Sequence, residues 1–284
     1  MHIRGQVGGT DNMSDGVAIV TGAGHGIGLG TAQRLAARGL AVAAVDIDAD
    51  VLHAAPLPAG VMRMVHDIAT DPIGWVLEVE KQFGVPTVLV NNAAAMSGHS
   101  FLELSIDELR RSVDVTLFGT WALTRAVVQR MIAADQAGAI VFNLSLHTTR
   151  VRMSPDYSAA KAALLMLTQE LASELGPYGI RVNAVSPGAV DTWSERVPEP
   201  DAHVSRSEAL VPLGRLGTAD DVAKAIDFLA DSEASGYITG ADIKVDGGLS
   251  QFNWLHHLYG TASAERQRTS TSDDATPEID TTRS

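Results

Sequence analysis

The sequence predicts an α/β protein, a single domain built on a doubly wound parallel sheet with helices on both faces. Three observations carry that expectation. Short apolar runs alternate along the chain with stretches of helical period, the pattern of strands joined by crossover helices. A glycine-rich turn lies between the first such run and the first such helix, where a strand of a parallel sheet feeds its covering helix. A chain of 284 residues with 45% apolar content can also build one substantial core without splitting.

Taken in order, Val17-Ala-Ile-Val20 opens the sheet as strand 17–21, and the periodic Leu29, Ala32, Leu35 and Ala36 mark a helix over 27–38. Ala41-Val-Ala-Ala-Val45 supplies the second strand, 40–46, which ends at Asp46. Later apolar runs predict strands at 61–65, 86–91, 138–144, 180–185 and 242–245. Helical patterns fall at 72–83, 105–134 (long enough to be broken), 156–175 and 219–230. The folded domain is expected over 14–260. Residues 1–13 are polar and without periodicity, a flexible extension in which Met13 is a candidate start. Residues 261–284 are rich in Thr, Ser and Asp, the composition of a disordered tail.

Composition excludes several chemistries. Zero cysteines rule out disulfides, cysteine metal sites and thiol nucleophiles, and no metal site is expected. A net charge of −13 argues against nonspecific nucleic-acid binding, whose footprint is a basic surface. No segment approaches the ~18 apolar residues of a membrane span, and no secretory core opens the chain. A cytoplasmic protein with no membrane or nucleic-acid partner is the expectation.

Two constellations carry chemistry. In Thr21-Gly-Ala-Gly-His-Gly-Ile-Gly28, Gly22, Gly26 and Gly28 let the backbone approach a pyrophosphate. The following helix N-terminus offers unpaired N–H groups and a positive dipole end. Asp46 lies about 20 residues past the glycines, where a carboxylate accepts ribose hydroxyls. The second constellation is Tyr157-Ser-Ala-Ala-Lys161, with Ser145 at the end of an apolar run upstream. Residues four apart share a helix face. An ammonium beside a phenol favours its ionised form, giving an acid/base that works nearer neutral pH than free tyrosine at ~10.

With these residues in view, the chain resembles the short-chain dehydrogenase/reductase family, in its compact oxidoreductase branch. The turn at 21–28, Asn91-Asn-Ala-Ala94, Ser145, the Tyr157/Lys161 pair and Pro187-Gly-Ala-Val-Asp-Thr192 match in order. The likeness continues through Arg215-Leu-Gly and Tyr237-Ile-Thr-Gly to Val245-Asp-Gly-Gly248, covering roughly 14–250. The resemblance implies a Rossmann-type fold and hydride transfer between a secondary alcohol or ketone and NAD(H). Asp46 would repel a 2′-phosphate, and neither Ile47 nor His25 is a permanent cation, so NAD is the expected cofactor.

The resemblance also implies roles. His25, Gly26 and Ile27 belong to the pyrophosphate turn; Asp67 and Ile68 flank the adenine; Asn91 sits under the adenine ribose. Past Pro187, the Val190 backbone and Thr192 hydroxyl meet the nicotinamide carboxamide. Tyr157 is the acid/base, Lys161 tunes it and holds the nicotinamide ribose, and Ser145 donates to the substrate oxygen. Val113-Asp-Val-Thr-Leu117 places Thr116 where the family carries an asparagine that bends the helix and holds a proton-relay water. Threonine can bond a carbonyl of the preceding turn but cannot copy an amide's donor and acceptor set. His147, Met153 and Trp193 are candidate substrate contacts, with 191–213 as a lid. Phe252-Asn-Trp-Leu-His-His-Leu-Tyr259 is too apolar to float free and is expected to pack on the substrate side or on a neighbour. A homotetramer, or a homodimer, is implied through 105–134 and 156–175. Two other readings stand beside the enzyme: a retired dinucleotide sensor, and an acyl-carrier-linked 3-ketoacyl reductase.

Overall fold

The computed structural model describes residues 16–151, 153–192, 208 and 210–251. Expectations for 1–13, Trp193 and most of the 191–213 lid, 252–259 and 261–284 lie outside the described residues.

Seven parallel strands form one sheet in the order β3-β2-β1-β4-β5-β6-β7. They are β1 (Val17–Thr21), β2 (Ala41–Asp46), β3 (Met62–Val65), β4 (Val88–Asn91), β5 (Gly138–Asn143), β6 (Ile180–Pro187) and β7 (Asp242–Val245). The crossovers carry α1 (Gly26–Ala37), α2 (Ala49–Ala54), α3 (Pro72–Phe83), α4 (Ile106–Val113), α5 (Thr120–Ala133), α6 (Pro155–Leu175), α7 (Ala219–Ala230) and α8 (Ser232–Ser235). The single-domain, Rossmann-type doubly wound fold expected from the sequence is therefore present.

Strand alternation explains the two layers. Successive side chains point to opposite faces, so in β1 Ile19 joins one core and Ala18 and Val20 the other. The first face packs Trp75, Val76 and Val79 of α3, Leu123, Val127 and Met131 of α5, and Leu164 and Leu167 of α6. The second packs Ala32 and Leu35 of α1, Leu52 of α2, and Val222, Ile226 and Leu229 of α7. Burial on both faces is why these strands read as continuous apolar runs.

The chain's winding reverses between β1 and β4, which pair directly, Ile19 opposite Leu89. Where the two halves part, the loops at the strands' C-terminal ends leave a crevice, the usual ligand position in open α/β sheets. Thr21, Asp46, Asn91, Asn143 and Pro187 all stand at strand ends.

Local features refine the sequence expectation, the break that the length of 105–134 allowed among them. The six-residue α2 was not expected; Asp48 caps it, accepting from the Val51 N–H at 3.0 Å. The predicted 105–134 helix is interrupted by a π-helical segment, Asp114–Gly119. Strand β6 runs two residues past the expected 185, because Ser186 and Pro187 pair with Lys244 and Val245. Among the described residues, no helix is long and apolar enough to cross a membrane.

Candidate active site

A cavity of about 510 Å³ opens at this switch point. Its floor is the turn after β1. Gly22 (φ 63°) and Gly26 (φ 56°) take left-handed conformations, which only glycine adopts without strain. At Gly28 the constraint is contact: a Cβ would stand 2.0 Å from the Gly22 carbonyl oxygen. Asn92 ties the turn down, its Nδ2 donating to the carbonyls of Thr21 (2.9 Å) and Gly22 (3.1 Å). His25 is the exposed N-terminal flank of α1, and Ile27 lines the cavity as the helix's second residue.

Asp46 is nearly buried at the end of β2. One carboxylate oxygen accepts from the Gly24 N–H at 2.9 Å, the other from the Asp48 N–H at 3.1 Å. The side chain is therefore fixed in orientation at the cavity wall. Farther along the wall, Asp67 accepts from the Ala69 N–H at 3.0 Å and pairs with Arg111 of α4 at 2.9 Å. Ile68 is buried beside it, and His66 lies stacked on Trp75 with ring centroids 5.9 Å apart.

Asn91 is placed differently from Asn92. Its side chain is buried and donates to Thr124 Oγ1 of α5 at 2.9 Å, while Asn92 lines the cavity. Asn91 is the last residue of β4 and Asn92 the first beyond it, and the pair divides between core and site. Pro187 ends β6 in the buried layer, and Val190 forms a bridge with Gly217. That bridge brings Thr192 onto the cavity, with its methyl 3.3 Å from where a Gly26 Cβ would sit.

On the opposite wall stands Tyr157, half-buried in the first turn of α6. Lys161 follows one turn later. It is 2% exposed, and its Nζ lies 5.5 Å from the centroid of the Tyr157 ring. That Nζ donates to the Asn143 carbonyl at 2.5 Å. Burial pushes the lysine pKa down from its ordinary 10.5 to about 7. Ser145 is also buried, two residues beyond β5, and its Oγ accepts from the His147 N–H at 3.2 Å. Proline at the first helical position, Pro155, starts α6 with a φ already set for the helix.

Thr116 lies at the middle of the π segment, fully buried. Its hydroxyl donates to the Ala95 carbonyl at 3.2 Å and accepts from the Ala95 N–H at 3.0 Å. Donor and one acceptor position are thus spent on the wall segment after β4. The widened helical turn, often found at functional sites, brings Gly119 against Ile68, where a Cβ would be 2.8 Å from the carbonyl oxygen.

Two of the candidate substrate contacts separate from this cavity. His147 and Met153 line a neighbouring groove of about 460 Å³ with Phe101, Val151 and Ser158. Met153 is 76% exposed and left-handed at φ 64°. Sequence reasoning passed over Asn92, Asn143, Arg111 and Asp156. Asn143, whose Nδ2 donates to Asn92 Oδ1 at 2.7 Å, carried only the signal of standing two residues before Ser145.

Fold and site together define a doubly wound α/β protein with a glycine-floored cavity at its switch point and a tyrosine–lysine pair on the wall. Comparison with known proteins gives the family. A family model described as Enoyl-(Acyl carrier protein) reductase matches residues 22–250. The mouse (3R)-3-hydroxyacyl-CoA dehydrogenase is 38% identical over 251 residues, covering 82% of this chain and 95% of its own. The trans-4-hydroxycyclohexanecarboxylate dehydrogenase of Sinomonas cyclohexanicum is 35% identical, covering 87% and 97%. L-rhamnose 1-dehydrogenase (NAD(P)(+)) of Azotobacter vinelandii is 37% identical, covering 83% and 96%. The chain belongs to the short-chain dehydrogenase/reductase family, a family of oxidoreductases that use nicotinamide dinucleotides.

Proposed function

We propose that this protein interconverts a secondary alcohol and a ketone with NAD(H), Tyr157 acting as acid/base. The observation that carries the reading is Tyr157 on the cavity wall with the buried Lys161 Nζ 5.5 Å from its ring.

The residues present fit a dinucleotide. The turn over 22–28 leaves a cradle that a Cβ at Gly28 would close, and the N-terminus of α1 points its free N–H groups there. Asp46, with both oxygens already oriented by backbone N–H groups, would hold the adenine ribose hydroxyls. Its charge would repel a 2′-phosphate, and Arg111, a cation on the same cavity, is paired with Asp67. NAD(H) is accordingly the cofactor in this reading. Ile68 and Asp67 would flank the adenine, Asn91 would serve through the strand end it anchors, and Val190 and Thr192 would face the carboxamide.

When bound, the nicotinamide ring accepts or returns the hydride; the protein moves the proton. In oxidation Tyr157 takes the alcohol's proton as phenolate, and in reduction it protonates the oxygen as phenol. In its protonated form Lys161 favours the phenolate by its charge, and Ser145 donates to the reacting oxygen. Thr116 acts here as a clamp on Ala95, since its hydroxyl is spent there. The exposed apolar Phe118, Trp121 and Met166 on the π segment, α5 and α6 support a tetramer or dimer through those helices. Two relatives are named for hydroxyl-bearing substrates, a 3-hydroxyacyl-CoA and a 4-hydroxycyclohexanecarboxylate, which supports the alcohol/ketone class.

The test is a panel of secondary alcohols and ketones followed at the nicotinamide absorbance. Tyr157→Phe is expected to lose nearly all turnover while keeping NADH affinity, and NAD(H) to give the higher kcat/KM. Asp46→Ala should relax the preference. Substantial turnover by Tyr157→Phe refutes the acid/base role, and a higher kcat/KM with NADP(H) refutes the cofactor choice.

A further inference from the structure

The residue immediately before the tyrosine is a fully buried carboxylate that the proposed reaction does not use. Asp156 has no exposed surface. Its Oδ2 accepts from the Ser97 N–H at 2.9 Å, and Ser154 Oγ lies 3.2 Å from Oδ1. Burial alone would raise its pKa. Hydrogen bonds from the N–H groups of Ser97 and Tyr157, with the hydroxyl of Ser97, outweigh that and hold it below the ordinary carboxylate value. Those donors are uncharged, and they come from two places: the segment after β4 and the helix that carries Tyr157.

The segment after β4 is a wall of the cavity; Ala93, Ala94, Ala95 and Met96 all line it. It is held from the far side as well. The Ala95 carbonyl accepts from Ser112 Oγ at 3.0 Å and from Thr116 Oγ1 at 3.2 Å. Asp156 closes this arrangement on the catalytic side, because its carboxylate grips Ser97 and the Tyr157 N–H at once.

We propose that Asp156 is a positioning residue, which pins the 95–97 wall to the first turn of α6 and so fixes the spacing between that wall and Tyr157. The inference rests on the proposed role of Tyr157 and extends it. An ionised carboxylate is the group suited to this place. It accepts on every lone pair and can serve several donors together, whereas an asparagine would turn an NH2 toward one of them. A buried charge with uncharged partners is costly to keep, and it stands beside an acid/base.

That last point separates positioning from mere structural support. A negative charge near Tyr157 and Lys161 raises the pKa of both groups, since it opposes the phenolate and favours the ammonium. Removing it lowers both, so the rising limb of kcat/KM against pH for alcohol oxidation moves to lower pH. Lys161 on the same helix and His25, Asp46, His66, Asp67 and Arg111 around the cavity are unchanged by the substitution. Their effects cancel when variant and parent are compared.

The experiment measures kcat, kcat/KM against pH and NADH affinity for Asp156→Asn, with Tyr157→Phe in parallel. Asp156→Asn is expected to lose about tenfold in kcat, a loss of the size that small misplacement of reacting groups produces. NADH affinity should stay within about twofold, and the limb should move down by about half a pH unit. An unshifted limb, or an equal loss of NADH affinity and thermal stability, overturns the proposal. If Asp156→Asn does not fold, Ser97→Ala combined with Ser154→Ala removes two hydroxyl donors to the carboxylate and keeps the backbone ones. A kcat lowered about threefold at unchanged NADH affinity then supports the proposal, and an unchanged kcat overturns it. An inactive Tyr157→Phe beside a parent-like Asp156→Asn sinks this inference alone. An active Tyr157→Phe sinks the acid/base reading, and the inference with it.

Discussion

Lys161→Met should change how stability depends on pH, with a sign opposite to most lysine substitutions. Lys161 is 2% exposed and its pKa is about 7 in the folded protein against 10.5 in the open chain. A lowered lysine pKa means that the unfolded chain binds the extra proton between those two values. Native stability therefore rises with pH across that window and is flat below it. The whole interval corresponds to about 5 kcal/mol, at 1.36 kcal/mol for each tenfold change in proton activity. Methionine is of similar length and carries no charge, so the variant lacks the rise. It also strands the Asn143 carbonyl, which now accepts from Nζ, at a pH-independent cost of about 1–3 kcal/mol. Urea unfolding of both proteins at pH 6, 7, 8 and 9 is the assay. From pH 7 to pH 9 the parent should gain about 2–3 kcal/mol relative to the variant, and from pH 6 to pH 7 far less. Parallel profiles, or a parent that loses ground as pH rises, would show that the amine is not desolvated as its burial implies.

Two further expectations concern the cavity floor. Gly28→Ala places a methyl 2.0 Å from the Gly22 carbonyl oxygen, so the turn must open; NADH affinity measured by fluorescence should fall at least about tenfold, equivalent to about 1.4 kcal/mol. Asn92→Ala leaves Asn143 Nδ2 and the Gly22 carbonyl without a side-chain partner and should cost about 1–3 kcal/mol in urea unfolding. Wild-type stability in that variant would mean the Asn92 bridge is idle.

How much of this was readable beforehand varies by element for physical reasons. Strands such as Val17–Thr21 read as continuous apolar runs and helices such as α3 and α7 carry their own periodic pattern, so local sequence announces them. The capping box Thr218/Asp221 starts α7, with the Asp221 N–H donating to Thr218 Oγ1 at 3.1 Å. By contrast, the six-residue α2 contains less than two turns, too few for a period to show. The π segment has an ordinary helical sequence; its widening accompanies the close approach of Gly119 to Ile68 and the grip of Thr116 on Ala95. Those contacts link residues far apart along the chain, and no spacing rule reveals them.

The site divides in the same way. The glycines at 22, 26 and 28, Asp46, and the Tyr157/Lys161 pair were legible because each depends on a backbone or helical spacing written within a few residues. That Asn92 rather than Asn91 faces the cavity, that Arg111 is taken by Asp67, and that His147 and Met153 line a separate groove were decided by packing. Asp156 belongs with these: a carboxylate beside a helix start looks like a solvated cap until separate segments close over it. Local chain stiffness and side-chain period fixed the layers and the motifs, whereas the meeting of distant groups in a water-poor crevice depended on how those layers came together.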